Sequence, residues 1–325
     1  MIQHIVNISG GKDSAACAAL ARRRGRPFRL AMADTGHESE ITTNYAGELG
    51  AILGVEVEVA RADFSERIAK RRGFIVANWP DELARRALDV LVPTGNPFLD
   101  LCLWKGRFPS RKAQFCTEFL KREAIDQQIL YPALDVGPVV QWIGVRRDES
   151  LNRRNAPFTQ RVRFDGRHDM LFFRPIIHWT AADVFAFLKA EGIPPNPLYL
   201  QGMSRVGCFP CINASKDELA AIGRRFPGVV DRLMEMEELV KRASKHGSAT
   251  FFASDVTPEG AALGKRLKAR GGVDAAESAA APWPRADEVF AWAKTIRGGK
   301  QFGFDNWIAD QDEGVSCSSQ YGLCE

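Results

Sequence analysis

The feature that most restricts the fold is a short apolar run, Ile2 to Ile8, that breaks into Ser9-Gly10-Gly11-Lys12-Asp13-Ser14 and then into the Ala- and Leu-rich stretch Ala15 to Arg24. The run is rich in β-branched residues and reads as a buried strand. The stretch after the glycines has the composition of a helix, with cations at its carboxyl end and Gly25 to stop it. The pattern then recurs. Phe28 to Ala33 reads as a second strand, ending at Asp34-Thr35-Gly36-His37. Ile41 to Leu53 reads as a helix closed by Gly54, and Val55 to Ala60 as a third strand. A βαβαβ order requires a parallel sheet with helices packed on both faces. The predicted fold class is therefore α/β, an open, mainly parallel, twisted sheet.

Further along, Glu118 to Gln128 reads as a helix, Val139 to Val145 as a strand, and Arg146 to Asn155 as a polar loop at its end. Met170 to Ile177 reads as a strand, and Thr180 to Glu191 as a helix with Thr180 as N-cap and Gly192 as its stop. Residues 62 to 115 are less regular, and the segment Leu101 to Phe115 is expected to form a lid or insertion. Beyond Cys211 the pattern turns helical over Asp217 to Phe226 and Val229 to Lys245. Residues 247 to 284 include a Gly-, Ala- and Pro-rich stretch that reads as a linker or mobile loop, and Arg285 to Ile296 forms one more helical stretch. The expected division is a nucleotide-binding domain over 1–215 and a helical extension over 216–325 that ends in a Cys-containing tail.

The six residues after the first strand carry specific chemistry. Two glycines let backbone approach a ligand closely and turn successive N–H groups inward. The following helix brings its positive end to the same point. Lys12 adds a cation, and Ser9 and Ser14 add hydroxyls. Together they make a pocket for phosphate or pyrophosphate. The loop lacks the four-residue spacer between glycines of a Walker A motif.

Ser-Gly-Gly-Lys-Asp-Ser resembles the signature of the PP-loop ATP pyrophosphatases, a superfamily that includes tRNA thiolases and phosphoadenylylsulfate (PAPS) reductases. Four further segments are similar to the PAPS reductase branch: Asp34-Thr35-Gly36-His37-Glu38, Cys116-Thr117-Glu118-Phe119-Leu120-Lys121, Trp142 to Ser150 with Arg146, Arg147 and Arg153, and Arg174 to Asp183 followed by Asn196-Pro197-Leu198-Tyr199 and Gly207-Cys208-Phe209-Pro210-Cys211. The resemblance runs from about residue 4 to about residue 215. It implies that Ser9 to Ser14, Asp34, Thr35, Gly36, Lys121, Arg146, Arg147 and Arg153 bind the nucleotide, with Lys12 and Asp13 also acting in catalysis. Guanidinium forks suit phosphate and sulfate oxygens. His178 reads as a packing residue in preference to a catalytic one.

Seven cysteines, an odd number, argue against a disulfide framework. Cys208 and Cys211 form a C-x-x-C pair suited to gripping a metal or a cluster. Cys17, on an Ala-rich helix, reads as core. With Cys116 at the family position and Cys317 from the tail, the expected set is a [4Fe–4S] cluster on Cys116, Cys208, Cys211 and Cys317. A site using both Cys317 and Cys324, zinc in place of the cluster, and a metal-free redox pair stay open, and Cys102 is a further candidate ligand. Where cluster-bearing adenylylsulfate reductases have two adjacent cysteines, Phe115 precedes Cys116. Cys324 stands where assimilatory reductases carry a catalytic cysteine.

Two chemistries remain. In one, ATP with Mg2+ is cleaved at its α-phosphorus, pyrophosphate leaves, and sulfur displaces the adenylyl group from an activated substrate. In the other, PAPS or adenylylsulfate gives up sulfite to a cysteine thiolate. The intact loop favours ATP, since PAPS reductases as a family have a degraded loop there. The expected partners are an adenine nucleotide, a sulfur donor or thioredoxin-like electron donor, and a tRNA or DNA acceptor. A net charge of +4 fits phosphate-bearing ligands, and a non-catalytic nucleotide- and nucleic-acid-binding module is the third reading. No apolar run approaches the roughly 20 residues of a membrane span, and the first residues do not read as a signal peptide, so no membrane partner and a cytoplasmic location are expected. The oligomeric state is not legible.

Overall fold

The computed structural model describes residues 2–149, 153–163, 169–269 and 281–297. Of these, 2–62 and 120–209 form one compact unit, and 63–119 with 210–297 form a second. The grouping is interleaved along the chain, whereas the sequence reading cut it once, after residue 215.

The first unit is built on a six-stranded sheet. Its elements are β1 (Gln3–Ile8), α1 (Lys12–Arg23), β2 (Arg29–Asp34), α2 (Glu40–Leu53), β3 (Val57–Arg61), short helices α6 (Glu123–Ile125) and α7 (Tyr131–Val136), β4 (Val139–Trp142), β5 (Thr159–Arg163), β6 (Asp169–Phe173) and α8 (Ala181–Ala190). The strand order is β3-β2-β1-β4-β6-β5, parallel throughout except for β5, which runs antiparallel to β6. From β1 the chain builds outward through β2 to β3. It then returns to lay β4 on the other side of β1. The switch in direction between β1 and β4 opens a crevice at the carboxyl ends of those strands, where open α/β sheets bind ligands.

Alternation along the strands fills two cores. Val6, Ile8, Leu30 and Met32 face α1, α2 and α8, and Ile5, Ala31, Ala60 and Val139 face α6 and α7. The α1 face is almost all alanine, with Ala15, Ala16, Ala18 and Ala19 fully buried. Small side chains let that helix sit close on the sheet, and its first turn is thereby fixed against the ends of β1 and β4. The segment between β3 and α6 enters through wide π turns at Thr117–Arg122, with more at Asp126–Leu130, where the sequence reads as plain helix. Cys17 is fully buried, as expected.

The second unit is helical: α3 (Ser65–Asn78), α4 (Asp81–Val90), α5 (Pro97–Lys105), α9 (Lys216–Arg225), α10 (Pro227–Ala243), α11 (Pro258–Ala269) and α12 (Ala286–Ala293). Three of these, α3 to α5, give regular structure to a stretch that the sequence reads as less regular, and α5 takes in the first residues of the expected lid or insertion over Leu101 to Phe115. Local signals start them. Asp63 Oδ1 accepts from Ser65 N at 2.8 Å, and Asn96 Oδ1 caps Leu99 N at 3.0 Å. Buried Asp100 holds Thr94 through its amide and hydroxyl, both at 2.7 Å. Likewise α11 lies inside the stretch read as a linker. Phe98, Phe108 and Phe251 pack together, their ring centroids 5.4–6.4 Å apart. The buried Glu237 carboxylate on α10 accepts from the Phe251 and Ala286 amides at 2.8 and 3.2 Å, tying α10 to α12. Among the described residues no helix is long and apolar enough to cross a membrane.

Candidate nucleotide site

The turn from β1 into α1 is held by residues far away in sequence. Gly10 has φ +71°, and a Cβ there would lie 2.5 Å from Thr42 Cγ2. Only glycine accommodates both the left-handed backbone and the close approach. The Asn196 side-chain amide donates to Gly10 O at 3.0 Å and to Thr42 Oγ1 at 3.3 Å. Tyr199 Oη accepts from the Lys12 amide at 3.1 Å. Ser14 Oγ donates to Gly11 O at 2.8 Å and accepts from Ser9 N at 3.2 Å, closing the loop on itself. Gly11, the N-cap of α1, has no side chain with which to cap that end, and of the first-turn amides Tyr199 takes that of Lys12. The first turn therefore presents backbone donors and the positive end of the helix dipole toward the crevice.

Gly144, just past β4, is as constrained as Gly10. A Cβ on it would meet Asp13 C, Asp13 O and Ser14 N at 2.8–2.9 Å, all backbone atoms. The backbone after β4 thus packs directly on the first turn of α1. Between the two, a cavity of about 190 Å³ is lined by Asn7, Ser9, Ser14, Met32, Glu38, Lys121, Gly144 and Gly207 among others. Asn7 lies on the face of β1 toward α6, and its Oδ1 is buried with no hydrogen-bond partner among the described residues. Lys12 is 7% exposed. Burial lowers its proton affinity most, the Asp13 carboxylate 3.3 Å away opposes that, and Arg146 adds to the lowering.

The Asp34-Thr35-Gly36-His37-Glu38 segment curls on itself at the end of β2. Asp34 Oδ1 accepts from Gly36 N at 2.8 Å and Oδ2 from Arg61 Nη1 at 2.5 Å, while Glu38 accepts from the Thr35 hydroxyl at 2.6 Å. Glu38 pairs with Cys208 in an antiparallel bridge, and Phe209 N donates to His37 O at 2.7 Å. Thr42 Oγ1 donates to Val206 O at 2.7 Å. Residues 206–209 therefore run along the loop that follows β2, and the two motifs, some 170 positions apart, share one edge of the crevice.

Each of the three arginines of the basic loop has a protein partner. Arg146 is 4% exposed. Its Nε donates to Asp13 Oδ1 at 2.6 Å and its Nη1 to Asp148 Oδ1 at 2.5 Å. Arg147 spends its guanidinium on Ala156 O, at 3.0 and 3.1 Å. Arg153 pairs with Glu149. Burial, then the nearby cation Arg205, lowers the proton affinity of Arg153, and Asp13 and Arg146 also act on it. Arg205, unanticipated in the sequence, is thus the cation that acts most on Arg153. His178 is exposed, not packed.

Among the described residues no three His, Cys, Asp or Glu side chains converge as a metal site. The expected cluster set is therefore not assembled by them, and Cys317 and Cys324 lie outside the described residues. Cys208 lines the crevice edge in the first unit. In the second unit, Asn213 N donates to Cys211 Sγ at 3.5 Å. Cys116 acts electrostatically on fully buried Cys102, whose thiol is pushed up mainly by burial.

Residues 3–214 match the phosphoadenosine phosphosulfate reductase domain family. The chain belongs to this family. The sheet, the Ser9–Ser14 loop and the 206–209 segment all fall inside the matched span, which takes in nearly all of the described first unit together with 63–119 and 210–214 of the second. Across 99% of this chain and 96% of its own length, a 37.8 kDa protein in the gpa 5′ region of Escherichia phage 186 is 43% identical. An adenosine 5′-phosphosulfate reductase of Neisseria meningitidis is 32% identical over 101 residues, 31% of this chain and 38% of that enzyme. A phosphoadenylyl-sulfate reductase of Candida auris, crystallised with phosphate, superposes with a TM-score of 0.40 and 16% identity over 64% of this chain and 82% of that one. The chain spans well under half of the reductase from N. meningitidis.

Proposed function

We propose that this PAPS reductase-family protein binds ATP in the β1–β4 crevice and activates an acceptor by adenylylation. An acceptor oxygen attacks the α-phosphorus, the bond to the β-phosphate bridging oxygen breaks, and pyrophosphate leaves with the bonding electrons. A sulfur nucleophile then forms a bond to the activated carbon of the acceptor and AMP departs. The observation that carries this reading is the complete loop Ser9–Ser14: a left-handed Gly10, a glycine N-cap on α1 and a buried Lys12 at one place. Those groups stabilise charge that develops on departing pyrophosphate. Lys121, across the cavity, is suited to the α-phosphate oxygens. Mg2+ would accompany ATP. The acceptor belongs to the nucleic-acid class on this reading.

A second reading, reduction of adenylylsulfate or PAPS with sulfite release, is favoured by the local identity to the N. meningitidis enzyme. In it the Cys324 thiolate attacks the sulfate sulfur, the S–O bond to the nucleotide phosphate breaks with the nucleotide as leaving group, and a thioredoxin-like dithiol then displaces sulfite from the cysteine S-sulfonate and is itself oxidised to a disulfide.

The test is product analysis with anaerobically purified protein. Pyrophosphate and AMP from α-labelled ATP, without sulfite from PAPS or adenylylsulfate, support adenylylation. Sulfite from either sulfonucleotide, with ATP untouched, overturns it in favour of the second reading.

A further inference from the structure

The second unit carries a feature that nucleotide chemistry in the first does not use. Arg67 on α3 stacks its guanidinium over Trp104 at 5.1 Å and over Phe119 at 4.8 Å. Lys105 places its ammonium 3.9 Å over the same Trp104 ring and 4.5 Å over Phe119. Arg107 adds a third cation, 5.5 Å over Phe115. One turn along α3, Arg71 repeats the arrangement 5.4 Å over both Phe74 and Trp79. Phe74 is half exposed, and Trp104 and Phe119 are partly exposed.

Two properties of this arrangement point outward. First, cations of one sign are gathered closely enough to disfavour one another. After burial, Arg67 and Arg107 are the main groups lowering the proton affinity of Lys105, against Glu118. Ring quadrupoles offset part of that repulsion, and an anion brought to the cluster offsets more. Second, Arg67, Arg71 and Phe74 stand at i, i+4 and i+7, so α3 presents cation, cation and ring along one face. An acidic peptide would use the charges and leave the rings idle. A single-stranded nucleic acid uses both, phosphates on the guanidinium and ammonium groups and bases on the aromatic surface.

We propose that the α3 face, with Trp104, Lys105 and Phe119 beside it, is a binding surface for single-stranded DNA or RNA. The surface stands independently of whether the first unit cleaves ATP.

The experiment is fluorescence anisotropy with labelled oligo(dT) and oligo(rU) of about 12 nucleotides, within the usual site size of such surfaces, titrated over a range of salt. The full-length protein is compared with the double variant Arg67→Gln/Arg71→Gln and with Phe74→Ser, whose position is exposed enough to spare the fold. Thermal unfolding of each variant is recorded alongside. The expected result is salt-sensitive binding by the unmodified protein and a loss of roughly tenfold or more in the double variant. Two lost phosphate contacts lower the slope of log K against log salt by about 1.4. Phe74→Ser is expected to weaken binding by roughly tenfold, as loss of one stacked base does, with the slope unchanged. Absence of oligonucleotide binding by the unmodified protein at low salt overturns the proposal. So does equal competition by poly-glutamate at matched charge, and so does unchanged affinity in folded variants.

Discussion

Arg146 Nε lies 2.6 Å from Asp13 Oδ1, and this contact joins the loop after β4 to the first turn of α1. The same guanidinium reaches Asp148 Oδ1 at 2.5 Å, so one arginine is divided between two carboxylates. Its side chain is 5% exposed and that of Asp13 17%. Removing one partner of such a pair leaves the other charge buried and uncompensated. Arg146→Ala is expected to cost about 3 kcal/mol of stability and to weaken ATP binding by releasing Lys12 and Asp13 from their places. Arg146→Lys is not expected to rescue, because an ammonium does not reproduce the fork. Thermal unfolding with calorimetric titration of ATP checks both parts. An Arg146→Ala protein that is stable but fails to bind ATP would instead make Arg146 a direct phosphate ligand.

Gly144 gives a second prediction. An added methyl would stand 2.8–2.9 Å from Asp13 and Ser14 backbone atoms, and backbone gives way less readily than the tip of a side chain. Gly144→Ala is expected to cost about 2–3 kcal/mol, at the upper end for overpacking, and to reduce ATP affinity at least tenfold by pushing the first turn off its position. Denaturant unfolding and ATP titration measure the two effects.

The third concerns Asn7. An unsatisfied buried acceptor costs about 1–3 kcal/mol, and Asn7 Oδ1 is one such atom beside the cavity. Asn7→Leu, of similar size, is expected to raise the melting temperature and to lower ATP affinity, since the donor that satisfies Oδ1 comes with the ligand. A drop in melting temperature with unchanged affinity would assign Asn7 to packing.

Lys12 sets a pH dependence of binding. Burial lowers its proton affinity below that of an exposed lysine. The cation is present at low pH and is lost as pH rises through that lowered pKa. ATP affinity is therefore expected to fall at a lower alkaline pH than for an enzyme using an exposed lysine, and Lys12→Arg, charged throughout, is expected to flatten the fall. Titrations across the alkaline range test this.

Asp126, in the π turn before α7, sets one for stability. Burial raises its pKa from 3.8 to about 6, with Arg122 opposing and Glu123 adding. The folded state then holds a proton that the unfolded chain has released. The contribution is full below pH 3.8 and is lost as pH climbs through about 6. Asp126→Asn is expected to remove this slope from the unfolding curve.

The sheet was legible because β1, β2 and β3 are apolar runs punctuated by Gly25, Gly36 and Gly54, each with positive φ. β5 was missed because Thr159–Arg163 has a single apolar residue, Val162, as an edge strand allows. The helices α3 to α5 were missed although Ala84, Ala87 and Val90 of α4 recur at helical spacing; in α3 and α5 cations and aromatic rings dilute the apolar pattern. Those same residues make the α3 face described above. In the candidate site, the turn Ser9 to Ser14 could be read because it is local in sequence. Thr42, Asn196 and Tyr199 could not be given their roles, since the bond from Lys12 N to Tyr199 Oη spans 187 positions. The protein partners of arginines 146, 147 and 153, which are Asp13, Ala156 O and Glu149, were not legible because composition does not show which groups a guanidinium meets.

The most direct measurement is competitive calorimetry of ATP and inorganic pyrophosphate on the unmodified protein and on Gly10→Ala. A Cβ at Gly10 meets Thr42 Cγ2 at 2.5 Å on a left-handed backbone, so this substitution closes the loop while leaving the cavity side chains in place. The expected result is that ATP and pyrophosphate compete for one site in the unmodified protein and that Gly10→Ala, still folded, binds neither. Undiminished ATP binding by Gly10→Ala would contradict the assignment of the Ser9–Ser14 loop as the pyrophosphate pocket, and with it the adenylylation chemistry.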